Sequence, residues 1–177
     1  MHIRQANKED VAKCLAIDPS YITDRVWQLV EQTRGDETIL TFRLARLPRP
    51  LRVEYPRTLQ DLGASLDRGE CLLVAEQDGR VGGFIDLIVA PWHETAWLRH
   101  LVVMEPLRRR GVGTRLLEAA LSWGEDNGLH AIMAQCQTKN YPAISLYQKN
   151  GFAFCGYNDR YYTNKDIALF FACPLRK

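Results

Sequence analysis

The sequence lacks any apolar run near the ~20 residues needed to span a bilayer. Its first ten residues, MHIRQANKED, are polar and charged, unlike a signal peptide. The five cysteines are scattered without a CxxC pair, and their odd number argues against a closed set of disulfides. A net charge of +2 is too small to indicate nucleic-acid or membrane binding. These absences predict a cytoplasmic protein with reduced thiols, no bound metal and no membrane or nucleic-acid partner.

What is present is the composition of an ordinary globular domain. The 177 residues are 46% hydrophobic and 25% charged, which fits one soluble domain with a sizeable core. The sequence contains no internal repeat and no low-complexity segment. We therefore expect residues 1–177 to form a single domain.

Hydrophobic periodicity and turn residues predict a mixed α+β order. Strands are predicted at 2–4, 38–45, 71–77, 81–89, 96–104, 129–136, 152–157 and 167–173. Helices are predicted after an N-cap at Asn7 and at 21–32, 59–67, 112–126 and 141–149. The prolines between 48 and 56 indicate an extended connection, and Asp78-Gly79 indicates a hairpin turn.

The segment between the strand ending at Met104 and the next helix has the composition of a phosphate-binding turn, Arg108-Arg-Arg-Gly-Val-Gly113. Its glycines let backbone amides approach a ligand closely. Free amides at the helix start favour an anion, and arginines add charged donors. No lysine follows Gly113, which excludes a Walker A loop, and Leu116 replaces the third glycine of a dinucleotide-binding fingerprint. The remaining pattern is R-x-x-G-x-G.

A second motif lies downstream in NYPAISLYQKNGF, which begins at Asn140 and ends at Phe152. It fits N-x-x-A-x-x-L-Y-x-x-x-G-F at every signature position. In order and separation the two motifs resemble the acyl-CoA-binding signatures of the GNAT N-acetyltransferases, and the resemblance extends from Cys71 to the C-terminus. It implies an α+β GNAT fold with a mostly antiparallel twisted sheet of about seven strands, about four flanking helices and splayed central strands. It also implies an enzyme that uses acetyl-CoA.

Within that resemblance, each motif position has an expected role. The strand before the turn is expected to pair with the pantetheine arm through Leu101, Val102 and Val103. The pyrophosphate is expected to bind the turn and the first helical residues, namely Arg108, Arg109, Arg110, Gly111, Val112, Gly113 and Thr114. Asn140 is expected to hydrogen-bond the pantetheine. Tyr147 is expected near the thioester sulfur as the general acid for the leaving thiolate, although a packed aromatic is the alternative.

The general base is where the sequence departs from many GNAT enzymes. Gln135 stands five residues before Asn140, where many relatives carry a glutamate, and its side chain cannot titrate. On the strand before the turn, where others carry acids, this chain has Arg99 and His100. The candidate bases are His100, whose unperturbed pKa is near neutral, and Asp86 on the preceding strand. A base acting through ordered water and a purely structural His100 both stay open.

The acceptor is expected to bind the segments that vary most among GNAT enzymes. YITDRVWQL, APWHETAWLRHLVV and YNDRYYTNKDIALFF resemble the streptothricin acetyltransferase branch, which implies a small-molecule amine acceptor. The oligomeric state, monomer or homodimer, stays open. Acetylation of protein N-termini or lysines, as in the ribosomal-protein alanine enzymes, and a non-catalytic acyl-CoA-binding module stay open as alternatives. The aromatic residues in these segments are candidate pocket residues: Tyr21, Trp27, Trp92, Tyr161 and Tyr162.

Overall fold

The computed structural model describes residues 1–175, which form nine strands and four α-helices. The strands are β1 (His2–Gln5), β2 (Tyr21–Arg34), β3 (Glu37–Val53), β4 (Leu72–Gln77), β5 (Arg80–Ala90), β6 (Thr95–Val103), β7 (Ala131–Gln137), β8 (Ala153–Asn158) and β9 (Ala168–Pro174). The helices are α1 (Lys8–Leu15), α2 (Leu62–Asp67), α3 (Val112–Asp126) and α4 (Tyr141–Lys149). Within this range no helix is long and apolar enough to cross a membrane.

Seven strands form one sheet in the order β1-β4-β5-β6-β7-β9-β8, and β2 pairs only with β3. Every neighbouring pair in the sheet is antiparallel except β6 and β7. Successive residues of β4 alternate between two hydrophobic clusters because side chains on a strand point to opposite faces. One cluster includes Leu116 of α3 and Ile144 of α4, and the other includes Cys14 of α1 and Leu62 of α2. The sheet and the four helices confirm the predicted fold class.

The prediction of a helix at 21–32 is wrong, because this segment is the first strand of a long hairpin. A two-residue turn, Gly35-Asp36, joins β2 to β3, and Gly35 has a φ of +60°. Glycine at the first turn position is the signature of a type II′ hairpin turn, whose twist matches that of paired strands. Cross-strand pairing along this ribbon therefore overrides the roughly helical spacing of its apolar residues.

The proline-rich segment is part of the same hairpin rather than a separate connection. Thr23 pairs with Leu51 and Arg25 pairs with Arg46, so the four residues 47–50 bulge out opposite a single residue of β2. Pro48 and Pro50 fall in that bulge. Proline has no N–H to donate to a ladder, so a bulge is where a strand tolerates it. The prediction of extended backbone is confirmed, and the pairing of that backbone was missed.

The two central strands of the sheet separate, as the fold prediction requires. Parallel pairing of β6 with β7 joins 95–98 to 131–134 and then stops, although both strands continue. On the other side of β6, Asp86 lies opposite His100 while Leu87 lies opposite Leu98, so Arg99 is the extra residue of a β-bulge. A bulge bends its strand, and this one lies where β6 leaves β7. The predicted splay is confirmed.

Candidate active site

A cavity of about 640 Å³ fills the gap between β6 and β7. The "donor end" is lined by the last residues of β6, the turn before α3 and the first half of α4. The "acceptor end" is lined by Tyr55, Arg57, Arg99, Gln135 and Tyr162. The two ends are continuous, so molecules bound in each could meet between the strands.

The start of α3 is built to receive an anion. Gly111 precedes the helix with a φ of +82°, and no side chain caps the first turn. By contrast, Asn7 caps α1 and Asn140 caps α4 with side-chain hydrogen bonds. The first amides of α3 therefore lack side-chain partners at the cavity wall, where the helix dipole also favours negative charge.

Space at this helix start is limited by α4. A Cβ on Gly113 would lie 3.3 Å from Leu146 Cδ2 and 3.9 Å from Val103 Cγ2. The absence of a side chain there keeps the wall of the cavity open. The side chains of two predicted pyrophosphate residues do not line the cavity, because that of Val112 is buried in the core and that of Arg110 is exposed elsewhere. Val112 would therefore contribute only its backbone amide to an anion site at this helix start.

The free edge of β6 faces the gap. The Met104 amide donates to the Gly82 carbonyl on β5 (2.9 Å). Antiparallel ladders bond alternate residues, so the peptide groups of Leu101 and Val103 point away from β5. Arg108 Nε donates to the Val103 carbonyl (2.8 Å), which ties the turn to the strand end. The remaining groups are free to pair with an extended ligand inserted beside β6.

Asn140 has a structural task that leaves part of its side chain available. Its Oδ1 accepts a hydrogen bond from the Ala143 amide (3.1 Å) and so caps α4. Among residues 1–175 its Nδ2 group has no hydrogen-bond partner, and the residue lines the cavity. That amide can donate to a carbonyl of the ligand.

Tyr147 lies between the two ends of the cavity with its ring packed among aromatic residues. Its ring centroid is 5.6 Å from that of Phe152 and 5.8 Å from that of Phe171. Its hydroxyl makes no hydrogen bond within the described part of the chain, although the residue lines the cavity. Burial raises the pKa of this hydroxyl well above its ordinary value of 10.0. Tyr147 therefore stays protonated, with its proton available for donation.

His100, one of the two bases predicted from the sequence, does not reach the cavity as a direct general base must. It is 1% exposed, does not line the cavity, and its Nδ1 lies 3.1 Å from the Tyr55 hydroxyl. Burial, with the nearby Arg99 and Arg57 charges, lowers the pKa of His100 to about 3. Tyr55 stands between this imidazole and the cavity. A direct catalytic role for His100 therefore stays a prediction that its position does not favour.

Asp86, the other candidate base, is bound to an arginine. Its Oδ2 accepts a hydrogen bond from Arg99 Nε at 2.5 Å, and Arg99 also donates to the Ser65 hydroxyl of α2. Burial raises the pKa of Asp86, and the hydrogen bond from Arg99 opposes that rise. Asp86 is fully buried on the α2 side of the sheet and does not line the cavity. The pair fastens the bulge of β6 to α2.

Gln135 links two side chains at the acceptor end. With its amide oxygen toward Arg57, Gln135 accepts from Arg57 Nε (3.0 Å) and donates to the Tyr162 hydroxyl (2.8 Å). The opposite orientation would place its NH2 group against guanidinium donors. Position 135 therefore holds an amide that positions an arginine and cannot titrate.

Sequence reasoning missed two residues of the acceptor end, Tyr55 and Arg57. They lie between β3 and α2 in a segment with no motif, and only the tertiary fold carries it to β6. Of the aromatic residues singled out from the sequence, Tyr21 and Tyr162 line the cavity. Trp92 is 89% exposed.

Comparison with known proteins agrees with this geometry. The Acetyltransferase (GNAT) family model matches residues 37–152. A streptothricin acetyltransferase of Escherichia coli is 31% identical over 148 residues, 84% of this chain and 79% of that protein. A solved nourseothricin acetyltransferase gives a TM-score of 0.84 at 24% identity, covering 99% of this chain and 98% of that one. A protein of Bacillus anthracis str. Ames solved with acetyl coenzyme A gives 0.81 at 22% identity, covering 98% and 99%.

The two structural likenesses support the fold. The matched residues include both motifs and the two strands that separate, β6 and β7. On that match the chain belongs to the GNAT family, and it is an acetyl-CoA-dependent N-acetyltransferase.

Proposed function

We propose that this enzyme transfers the acetyl group of acetyl-CoA to a primary amine of a small molecule, with the reaction centred on Tyr147. The observation that carries the proposal is the free Tyr147 hydroxyl inside a cavity that runs from an uncapped helix start to a polar acceptor end. The names of relatives such as the Escherichia coli streptothricin acetyltransferase support a small-molecule acceptor.

The residues at the donor end fit acetyl-CoA. The amides at Gly111–Thr114 would hold the pyrophosphate, and the free edge at Leu101–Val103 would pair with the amides of the pantetheine arm. Asn140 Nδ2 would donate to the same arm. When bound, acetyl-CoA supplies a thioester carbonyl as the electrophile. Tyr147 would protonate the departing sulfur, since its raised pKa keeps it in the acid form, and it would regain a proton from the attacking nitrogen as the amide forms.

The proton of the acceptor amine needs an acceptor other than a glutamate at position 135. Gln135 cannot titrate, and neither His100 nor Asp86 faces the cavity. Arg57 and Arg99 line the acceptor end. Arg99 is paired with Asp86, but Arg57 forms no ion pair with a described residue, and neighbouring positive charge of this kind lowers the pKa of an ammonium group. We propose that the amine reaches its neutral form by losing its proton to solvent water.

Thiol release from acetyl-CoA, measured with the purified enzyme against a broad panel of small amines and peptides, tests the proposal. We expect amine-dependent release with at least one class of small amine, and an acetylated product in the mass spectrum. Release no faster than hydrolysis with every small amine, combined with acetylation of peptide N-termini or lysines, would replace the proposal with a protein acceptor. Acetyl-CoA binding with no transfer at all would indicate a non-catalytic module.

A further inference from the structure

We propose that the acceptor is an amine that also carries an anionic group, and that Arg57 binds that group. This inference rests on the proposed function and narrows its substrate class. It is carried by the charge of the acceptor end, where the described lining residues include two arginines and no carboxylate. Glu105, the single acidic residue that lines the cavity within residues 1–175, lies at the donor end beside Arg108.

The two arginines differ in how far they are neutralised. Arg99 is 9% exposed and pairs with Asp86 at 2.5 Å, while Asp61 lies 3.9 Å from its Nη1. Arg57 makes no ion pair with any residue that the structure describes. Arg57 is therefore the uncompensated cation of this end.

The surroundings of Arg57 orient its guanidinium without neutralising it. Nε donates to the Gln135 amide oxygen (3.0 Å) and Nη2 donates to the Tyr161 hydroxyl (2.9 Å). The guanidinium carbon also lies 6.0 Å from the centroid of the Tyr161 ring. Both N–H groups of Nη1 have no partner in the described chain. A guanidinium held by neutral groups, with donors to spare, is suited to bind a carboxylate or a phosphate.

The same charge disfavours a different class of acceptor. A diamine or other polycation would place a second ammonium near Arg57, and within residues 1–175 no carboxylate lines that end to compensate it. An uncompensated like charge is an effective means of excluding a competitor. Arg57 therefore acts as a specificity residue that favours amino carboxylates and related anionic amines over polyamines.

The test compares acetylation of three amines matched in chain length: an ω-amino carboxylate, the plain alkylamine and the diamine. Streptothricin is included as a fourth, polycationic substrate. For the wild type we expect kcat/KM to be about ten- to a hundredfold higher for the amino carboxylate than for the alkylamine, the usual range for a hydrogen bond to a charged group. The difference should lie mainly in KM, because the anionic group contacts Arg57 before the reaction as well as during it.

Substitutions of Arg57 separate recognition from folding. Arg57→Gln should remove most of the preference, Arg57→Lys should keep part of it, and Arg57→Glu should reverse it so that the diamine becomes the better substrate. Residue 57 lies outside every strand and helix, so these changes spare both β-sheets. Arg43→Gln removes the same charge from an exposed position on β3 and should leave the preference unchanged.

The outcomes distinguish this inference from the proposed function. If the wild type acetylates diamines or streptothricin as well as the amino carboxylate, or if Arg57→Glu leaves the order of substrates unchanged, the inference is wrong and the proposed function stands. If no small amine of any class is acetylated, both are wrong.

Discussion

Tyr147 is the proposed general acid that protonates the departing sulfur. Its hydroxyl has no hydrogen-bond partner in the described chain, so Tyr147→Phe should leave the fold intact while removing the proton donor. We expect kcat to fall by about a hundredfold or more, the usual contribution of a general acid, with little change in the KM for acetyl-CoA. Steady-state thiol release measures both constants. Tyr157→Phe, which removes a hydroxyl from β8 outside the cavity, is the control, and an equal effect of the two changes would contradict the assignment.

Two glycines at opposite ends of α3 provide a matched test of the phosphate site. Gly111 (φ +82°) and Gly128 (φ +70°) both adopt backbone that L side chains rarely occupy, and a Cβ on either meets nothing within 4 Å. Replacement by alanine should therefore cost each about 1–2 kcal/mol of stability. Gly111→Ala alone should also weaken acetyl-CoA binding, by about tenfold or more, because the strain falls on the turn that presents the amides. Calorimetric titration with acetyl-CoA would decide, and equal affinities for the two variants would place the pyrophosphate elsewhere.

At the scale of elements, the β2–β3 hairpin is attached to the rest of the molecule by an aromatic cluster. Phe42 lies 6.0 Å from Trp27, 5.1 Å from Phe154 and 5.6 Å from Tyr157, measured between ring centroids. Because Tyr21 on the same hairpin lines the cavity, the position of the hairpin shapes the active site. Loss of the aromatic contacts should therefore also disturb binding of the acceptor.

Phe42→Ala should loosen that attachment, because each aromatic pair contributes about 0.5–1.5 kcal/mol beyond its buried area. We expect faster limited proteolysis between residues 34 and 50 and a higher KM for the acceptor amine. Leu40→Ala on the same strand, where the side chain is 42% exposed, should change neither. Unaltered protease resistance in Phe42→Ala would mean that other contacts hold the hairpin.

The elements differ in how well the sequence predicts them, for identifiable physical reasons. α3 and α4 have the predicted bounds because local signals mark both ends of each helix. These signals are Gly111 and Asn127-Gly128 for α3, and Pro142 and Asn150-Gly151 for α4. The helix prediction for β2 is wrong because the roughly helical spacing of its apolar residues is a weaker influence than pairing with β3 through the Gly35-Asp36 turn.

The two ends of the active site also differ in how well the sequence predicts them. Its donor end comes from two contiguous motifs, so Gly113, Asn140 and Tyr147 could be named from the sequence. Its acceptor end depends on contacts between distant segments, such as Arg57 with Gln135, and local pattern carries no signal for such contacts. His100 and Asp86 are candidates by residue type alone, and neither lines the cavity. His100 is buried beside Tyr55, and Asp86 is paired with Arg99.

For the molecule as a whole, the burial of His100 makes stability depend on pH. Its pKa falls from an ordinary 6.5 to about 3 in the folded protein, so between these values the unfolded chain binds a proton that the folded chain does not. The contribution of neutral His100 to stability is therefore complete above pH 6.5 and is lost progressively as the pH falls toward 3.

At pH 5 this loss should amount to about 2 kcal/mol, from 1.36 kcal/mol per pH unit over one and a half units. Urea unfolding of the wild type and of His100→Gln at pH 7 and pH 5 measures it. The variant should lose less stability than the wild type between the two pH values. An equal loss in both proteins would show that other groups account for the acid sensitivity.

A crystal structure of the enzyme with acetyl-CoA would decide whether acetyl-CoA binds between β6 and β7 with its reactive end at Tyr147. We expect this binding mode to place the pyrophosphate on the amides of Gly111–Thr114, the pantetheine along the free edge of Leu101–Val103, and the thioester sulfur about 3–4 Å from the Tyr147 hydroxyl, the range for a hydrogen bond to sulfur. A pyrophosphate bound away from the start of α3, or a sulfur atom beyond the reach of Tyr147, would contradict it.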